Sequence, residues 1–550
     1  MSPASRDALS QSGRRLRTYL RRRIRIDTRS LAVFRIFVGV LIVADLLARS
    51  RNFSRFYTDD GVVPQALAQE LSADGAFSFY HLTSDPTVIA GLFVLQGLIA
   101  LQLIVGYKTR IATILSFLFV ISLDHHNPFV LSYADTLFRL LLFWAIFLPL
   151  GERWSVDAVH ADRERRAHVA NAATVLILAQ MVYMYLTNGL IKSQSEVWTS
   201  GDAAPLVLGI DEMTFFLGNT IRQGPILLEL GGRVWFTILL LSWLLIVLPA
   251  RARYPLVALF AIGHLSFALT VRIGAFPYVP LAGLVLFLQG AFWTDLNRLG
   301  GYVNVDSSRV AGSVTRLSAL AATVPDYRLT SERIRRARRL TYSLALGIVV
   351  VSLLFVAVVM AFNVGTAIAD TEADQSMDER VEGTVDETLY ETAGVKQIES
   401  TASRFGVDQP VGWAVFAGPD PRTTDRYYVF PAETESGEVV DAYNERELTY
   451  DRPYDGELQN QYGSYRERFY MNSVRNGGNQ NDVPVEFGEE ICERWSEEHD
   501  EELVRISMYV VEEEITHDTI TEPGDREQEF DEFHRHGCGD NEPAEVDSPM

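Results

Sequence analysis

Residues 30–45 read Ser30-Leu-Ala-Val-Phe-Arg35-Ile-Phe-Val-Gly-Val-Leu-Ile-Val-Ala-Asp45, within an apolar run near 31–48. About 20 such residues cross a bilayer. Arg14, Arg15, Arg17 and Arg21–Arg23 precede the run, as they would in a signal peptide. No small-residue cleavage site follows, because Ala44-Asp45-Leu46 leads into more arginine, so the run reads as a retained span. Eight further apolar runs lie near 87–105, 110–123, 131–150, 169–190, 234–249, 254–271, 277–293 and 341–362. Together they predict a polytopic α-helical membrane bundle of about nine spans, which excludes a purely soluble enzyme.

Charge divides the chain in two. The 550 residues carry 49 Lys or Arg and 70 Asp or Glu, for a net charge of −21. Residues 1–369 hold 35 basic and 23 acidic side chains, whereas residues 370–550 hold 14 and 47, or −33. Such a segment would repel phosphate, so no nucleic-acid partner is expected. Only Lys108, Lys192 and Lys396 are lysines, against 46 arginines. Strong acidity with so little lysine points to a salt-adapted, haloarchaeal-type protein whose carboxylate surface holds hydration.

Lysine and arginine in short loops stay on the cytoplasmic side. With the N-terminus inside, segments 1–30, 106–110, 151–168, 250–253 and 294–340 hold 26 basic residues, and the outer loops hold seven. An odd number of spans then places the C-terminal part outside a cell membrane. The expected division is a basic cytoplasmic N-terminus (1–30), a membrane domain (31–295), a cytoplasmic loop (296–340), a last span (341–362), a flexible acidic linker (370–400), an extracellular mixed, mostly β domain (401–515) and a disordered acidic tail (516–550). Strands are expected at Val411–Phe416, Tyr427–Phe430 and Val504–Val511, and a helix at Val485–His499.

The Ser30–Asp45 segment resembles the opening membrane helix of vitamin K-dependent γ-carboxylases. Three more blocks agree in order: Trp154-Ser-Val-Asp157, Gly189-Leu-Ile-Lys192 followed by Trp198 and Gly201, and Ile273-Gly-Ala-Phe-Pro-Tyr278. Trp413-Ala-Val-Phe416 and Tyr465-Arg-Glu-Arg-Phe-Tyr470 look like segments that follow these domains. The chain therefore resembles the carboxylase-like family of horizontally transferred transmembrane (HTTM) domains over about residues 28–295.

That resemblance implies a chemistry. In such carboxylases a lysine deprotonates a reduced naphthoquinone, which reacts with oxygen to give a strong base; the base takes a γ-proton from peptide glutamate, and the carbanion takes up carbon dioxide. Lys192 is the matching lysine. A menaquinol-like quinol, oxygen and carbon dioxide are the implied co-reactants, with an extracellular peptide or protein as acceptor and no metal. Arginine could not serve as the base, because it does not deprotonate in this range. A lysine at a span end is also a common interfacial anchor that reaches to water.

The spacing from Lys192 to Trp198 is one residue longer than in animal carboxylases. Ala134, beside Asp135, stands where those enzymes have a functional histidine, which argues against strict γ-glutamyl carboxylation. His125 and His126 lie upstream and could substitute only with a rearranged loop. Arg35, Asp45, Asp135, Arg139 and His264 fall in or beside spans, where charge is costly and often functional. Arg35–Asp45 and Asp135–Arg139 could be structural ion pairs, the second at i, i+4. The candidate catalytic residues are Lys192 and His264, the latter because the family has a histidine there too. The candidates for binding substrate or quinone are Trp198, Arg139, Asp135, Phe276 and Tyr278.

His534, His536 and Cys538 fall one ligand short of a structural zinc set. Cys492 and Cys538 would lie on the oxidising face, where a disulfide is permitted. An enzyme acting from the outer face is the leading reading. A non-enzymatic membrane scaffold displaying an acidic binding domain is the alternative, and a transporter is third, for want of an inverted repeat of broken helices.

Overall fold

The computed structural model describes residues 15 and 18–549, apart from 74, 162, 303–314, 317, 327–330, 370–376, 411, 416–417 and 479–480. A helical N-terminal half precedes a C-terminal domain built on a β-sheet. A short ribbon pairs β1 (Ile26–Asp27) with β2 (His168–Val169). The principal helices of the first half are α1 (Thr28–Ser50), α2 (Pro86–Val105), α3 (Thr109–His126), α4 (Tyr133–Ile146), α5 (Ala172–Lys192), α6 (Pro225–Leu240), α7 (Tyr254–Thr270), α8 (Tyr278–Leu284), α9 (Gly290–Tyr302) and α10 (Glu332–Ala369).

Local chemistry sets several boundaries. Asp85 caps α2 by accepting from the Thr87 and Val88 amides, and Pro86 occupies the first turn, where an amide would go unpaired anyway. Gly106, at φ 70°, ends α2 in the left-handed conformation that glycine adopts without strain. Capping boxes open α4, through Ser132 and Asp135, and α5, through Asn171 and Thr174.

All nine expected runs fall mainly on helices, although that at 234–249 is broken by a turn at 241–243 between α6 and a short helix, Leu244–Val247. Among the described residues four of these helices, α1, α2, α5 and α10, are long and apolar enough to cross a membrane. The run at 277–293 is not one straight span: α8 and its 3-10 extension meet α9 at 99°. The break is held by polar contacts, since Ser30 Oγ donates to the Leu288 carbonyl and the Gln289 amide donates to the carbonyls of Arg22 and Arg25. The expected boundary at 340/341 lies inside α10, a single helix of 38 residues.

Four other expectations are corrected. The acidic stretch 370–400 contains α11 (Met377–Tyr390) and α12 (Val395–Arg404), while 370–376 lie outside the described residues. Trp413–Val415, the described core of the expected Val411–Phe416 strand, pairs with no strand and runs into the bundle, where Trp413 is fully buried. The tail is ordered, because β8 (Gln528–Gly537) pairs along β7 (Leu503–Glu514) and a disulfide joins Cys538 to Cys492. Arg35 does not pair with Asp45 and Asp135 does not pair with Arg139. Arg35 instead donates to the carbonyls of Ile104, Leu150, Arg153 and Trp154, tying α1 to the last turn of α2 and to the loop after α4.

The C-terminal sheet is antiparallel. One edge of β7 pairs with β3 (Thr424–Val429) and then β4 (Pro431–Thr434), and β5 (Val439–Asp441) and β6 (Arg446–Glu447) continue from β4. The helices α13 (Tyr465–Gly477) and α14 (Val483–Glu498) pack together, with Tyr470 and Phe487 edge to face at 5.7 Å. The expected strands at Tyr427–Phe430 and Val504–Val511 and the helix at Val485–His499 are present. The apolar core is continuous from α1 and α5 through Trp413 to Tyr470 and Phe487, so bundle and sheet domain share one interior.

Candidate functional site

The site is built on one stripe of α5. Tyr185, Asn188 and Lys192 follow at i, i+3 and i+7, a helical spacing that puts them on one face. Gly189, on the same stretch, lets α6 approach: a Cβ there would lie 3.0 Å from the Leu239 Cβ. Tyr185 stacks on Phe260 with ring centroids 4.2 Å apart, and its hydroxyl is 2.8 Å from His264 Nε2. The other ring nitrogen of His264 has no partner, and the ring is enclosed by Trp235 and Phe276.

Lys192 is fully buried, which is not how an interfacial anchor behaves. Its amine donates to the Val415 carbonyl at 2.7 Å and sits 3.8 Å from the centroid of the Trp198 ring. Among the described residues no carboxylate pairs with it. Two residues earlier along the C-terminal segment, the Trp413 carbonyl accepts from the Asn188 amide. The 413–415 segment is thus pinned across α5 by its own backbone. Trp198 lies on a short helix, Glu196–Ser200, that Ser195 caps.

Two cavities meet this constellation. The first, about 270 Å³, is bounded by Trp198, Trp235, Phe267 and the α6 and α7 glycines Gly231, Gly232 and Gly263. Its side-chain hydroxyls, on Ser266 and Thr270, donate to carbonyls of their own helix, so the walls act as apolar. The second, about 250 Å³, lies between the bundle and the C-terminal domain, with Phe276, Val415, Arg422 and Arg468 in its wall. Phe276 and Val415 also line the small gap beside His264 and Asn188.

Lys192, Trp198, His264 and Phe276 are therefore brought together. Asp135 and Tyr278 are elsewhere, in a third cavity of about 230 Å³ that also involves Asp45, Arg49, Asp124 and Tyr465. Asp124 accepts from Arg49 at 2.7 Å, and Arg139 lies 3.5 Å from its other oxygen. Arg466 of α13 reaches in from the C-terminal domain to Asp45 at 2.5 Å and Asp135 at 2.9 Å. Three guanidiniums face three carboxylates, a balanced cluster buried except at the partly exposed Asp45. Gly274 beside it takes φ +61°, and a Cβ there would lie 2.3 Å from the Tyr465 ring, so the Ile273–Tyr278 block is moulded against α13.

Ala134 is fully buried in apolar packing. The Nδ1 of His125 lies 2.9 Å from the Phe77 carbonyl and the Nε2 of His126 3.3 Å from that of Tyr57; neither ring lines any of these cavities. His534 and His536 are on β8, and the disulfide takes Cys538 out of any metal set. Sequence reasoning missed Tyr185 and Asn188, which the stripe ending at Lys192 could have flagged. It also missed the backbone carbonyls of Trp413 and Val415, for which side-chain patterns hold no signal.

No solved structure matches the chain. Residues 24–292, the segment that holds Lys192, Trp198, His264 and Phe276, match the HTTM domain family, and this match together with the long apolar helices points to a membrane protein.

Proposed function

We propose that this chain is a quinol-dependent, carboxylase-like membrane enzyme in which Lys192 is the general base and the substrate approaches from the outer face. One observation carries the reading: a fully buried amine with no carboxylate partner among the described residues, whose two contacts, Trp198 and Val415, line an apolar slot and a second, charged cavity respectively. The slot fits a lipid quinone, because its walls are aromatic, aliphatic and glycine surfaces and its hydroxyls are already spent. Trp198, Trp235 and Phe267 would hold the ring. When bound, a reduced naphthoquinone supplies an ionisable hydroxyl and reducing equivalents.

The chain's own groups then have defined tasks. Lys192 takes a proton at Nζ, and the Val415 carbonyl, which accepts from the amine and the ammonium alike, keeps the nitrogen in place through the transfer. The face of Trp198 stabilises the cation that forms, a contact of about 2 kcal/mol when desolvated. Asn188 fixes the loop that carries Val415. Tyr185 orients His264 toward the same gap. The scaffold alternative is favoured by Ala134, since no histidine takes the place that the carboxylases fill there.

Mass spectrometry of envelope proteins from cells with and without this gene tests the reading. A mass gain on acidic peptides is expected only when the gene is present, and identical spectra would favour the scaffold. For topology we propose nine membrane segments, with the N-terminus and residues 315–326 inside and the sheet domain outside, on the 26-to-seven split of basic residues. A cysteine at the exposed Ser436 should react with an impermeant maleimide in intact cells, and one at Ser318 should not. The opposite pattern would reverse the orientation.

A further inference from the structure

Several cations at the ends of the membrane helices are spent on partners. Arg29 pairs with Asp27, Lys108 with Asp326, Arg163 and Arg166 with Glu152, and Arg251 with Asp295. The first two turns of α10 differ. Arg333, Arg335, Arg336, Arg338 and Arg339 are exposed there beside one acid, Glu332, which lies 3.9 Å from Arg335. Among the described residues no carboxylate pairs with the other four arginines.

The same helix turns apolar directly after them. It meets the bundle along one seam, where Tyr342, Leu346 and Val349 pack against the core and the Tyr342 hydroxyl donates to the Phe147 carbonyl at 2.8 Å. The opposite face starts at Arg333 and Arg336 and continues through Leu340, Leu344, Ile348 and Val351, at i, i+3, i+7, i+11, i+15 and i+18. These four apolar side chains are 58–65% exposed. Gly347 lies on that face as well, and nothing stands within 4 Å of where its Cβ would be, so the strip is open along its length. At about 1.5 Å per residue, Leu340 to Val351 covers about 16 Å, half of a roughly 30 Å hydrocarbon core and so the depth of one leaflet.

We propose that this outward strip of α10 binds an anionic phospholipid, with Arg333 and Arg336 holding the headgroup phosphate and the acyl chains lying along Leu340 to Val351. The two chemistries of one lipid follow each other along the strip. Guanidiniums grip phosphate oxygens through paired N–H donors, and basic residues flanking a span attract anionic lipid. A headgroup that carries its own ammonium is neutral as a whole, so two unpaired cations select one with a net negative charge. A second copy of the chain is a poorer occupant. Two α10 helices share one direction in the membrane, and packing them through this strip would set Arg333 and Arg336 against their own copies, like charge on like charge. The site is independent of the chemistry at Lys192 and rests only on α10 crossing the membrane.

Photolabelling tests the site. The full chain is reconstituted in phosphatidylcholine nanodiscs with a trace of either phosphatidylglycerol or phosphatidylcholine bearing an acyl-chain diazirine, and the labelled residues are mapped by mass spectrometry. Phosphatidylglycerol should label residues 340–351 about 5–30-fold more than phosphatidylcholine, the worth of one to two basic contacts with an anionic headgroup. Arg333→Gln combined with Arg336→Gln should abolish that preference while phosphatidylcholine labelling persists, which shows that the strip still faces lipid. Arg333→Lys with Arg336→Lys should keep part of the preference. Arg335→Gln with Arg338→Gln, on the side of the helix nearer the bundle, should keep most of it. Inorganic phosphate should displace no more lipid than chloride at equal ionic strength. Equal labelling by the two lipids, a preference surviving the Arg333 and Arg336 glutamine pair, or an equal loss from the Arg335 and Arg338 pair would each overturn the site. So would displacement by inorganic phosphate, which marks a soluble anion as the ligand, or cross-links between two α10 helices in place of lipid labelling, which mark a second copy as the occupant.

Discussion

Replacing Lys192 by arginine is expected to lower quinol oxidation in isolated membranes by about 10²–10⁴-fold, the usual worth of a positioned acid–base group. Arginine keeps a positive charge, can donate to the Val415 carbonyl and can lie on the Trp198 ring, so the contacts that hold the 413–415 loop have a substitute. It cannot lose a proton in this range. Loss of turnover with the loop still docked therefore isolates proton transfer from packing. Lys192→Met is the complementary variant, which removes both the base and the donor, and it should also loosen the loop. Hydrogen exchange at the amides of residues 413–415 distinguishes them: little change in Lys192→Arg, faster exchange in Lys192→Met. Wild-type turnover in Lys192→Arg would remove the catalytic role. Disruption of the loop in both variants would leave the lysine as a structural tie and favour the scaffold.

The helical half was legible because a bilayer-length apolar run has few other uses. The nine runs from 31–48 to 341–362 fall mainly on helices, with breaks inside those at 234–249 and 277–293, and the Gly189–Lys192 and Ile273–Tyr278 blocks both contribute to the site. What escaped the reading depended on partners far along the chain. Trp413–Val415 has the composition of a strand, yet its apolar side chains are buried in the bundle and its carbonyls serve Asn188 and Lys192, more than 220 positions away. The Gln528–Gly537 segment has the composition of a solvated tail, but pairing on a sheet edge uses backbone groups to which composition is blind. The ion pairs failed for geometric reasons. Arg35 and Asp45 are ten residues apart on one helix and so point to different faces. Asp135 and Arg139 do share a face, but Arg466 and Asp124 offer each a partner from another element.

That substitution of partners leads to a second large effect. Arg466→Met should cost about 3–5 kcal/mol in the docking of α13, because it strips a buried carboxylate pair of its cation instead of replacing a whole ion pair with apolar groups. In the native cluster Arg466 serves Asp45 and Asp135 at once and donates to the Val130 carbonyl at 3.0 Å. Arg49 remains near both carboxylates, at 2.8 and 3.5 Å, but it must also serve Asp124. Two guanidiniums would then face three carboxylates in a buried site. At about 1.4 kcal/mol per tenfold change, local opening of α13 should rise by about 10²–10⁴-fold, which native-state hydrogen exchange reads directly. Neutralising one of the stranded acids, as in Arg466→Met with Asp135→Asn, should recover part of the loss. The two changes should be non-additive by at least about 0.5 kcal/mol, as expected for groups in direct contact. Native protection of α13 in Arg466→Met would show that the cluster does not hold the sheet domain on the bundle, and strict additivity would show that Asp135 is not the group Arg466 neutralises.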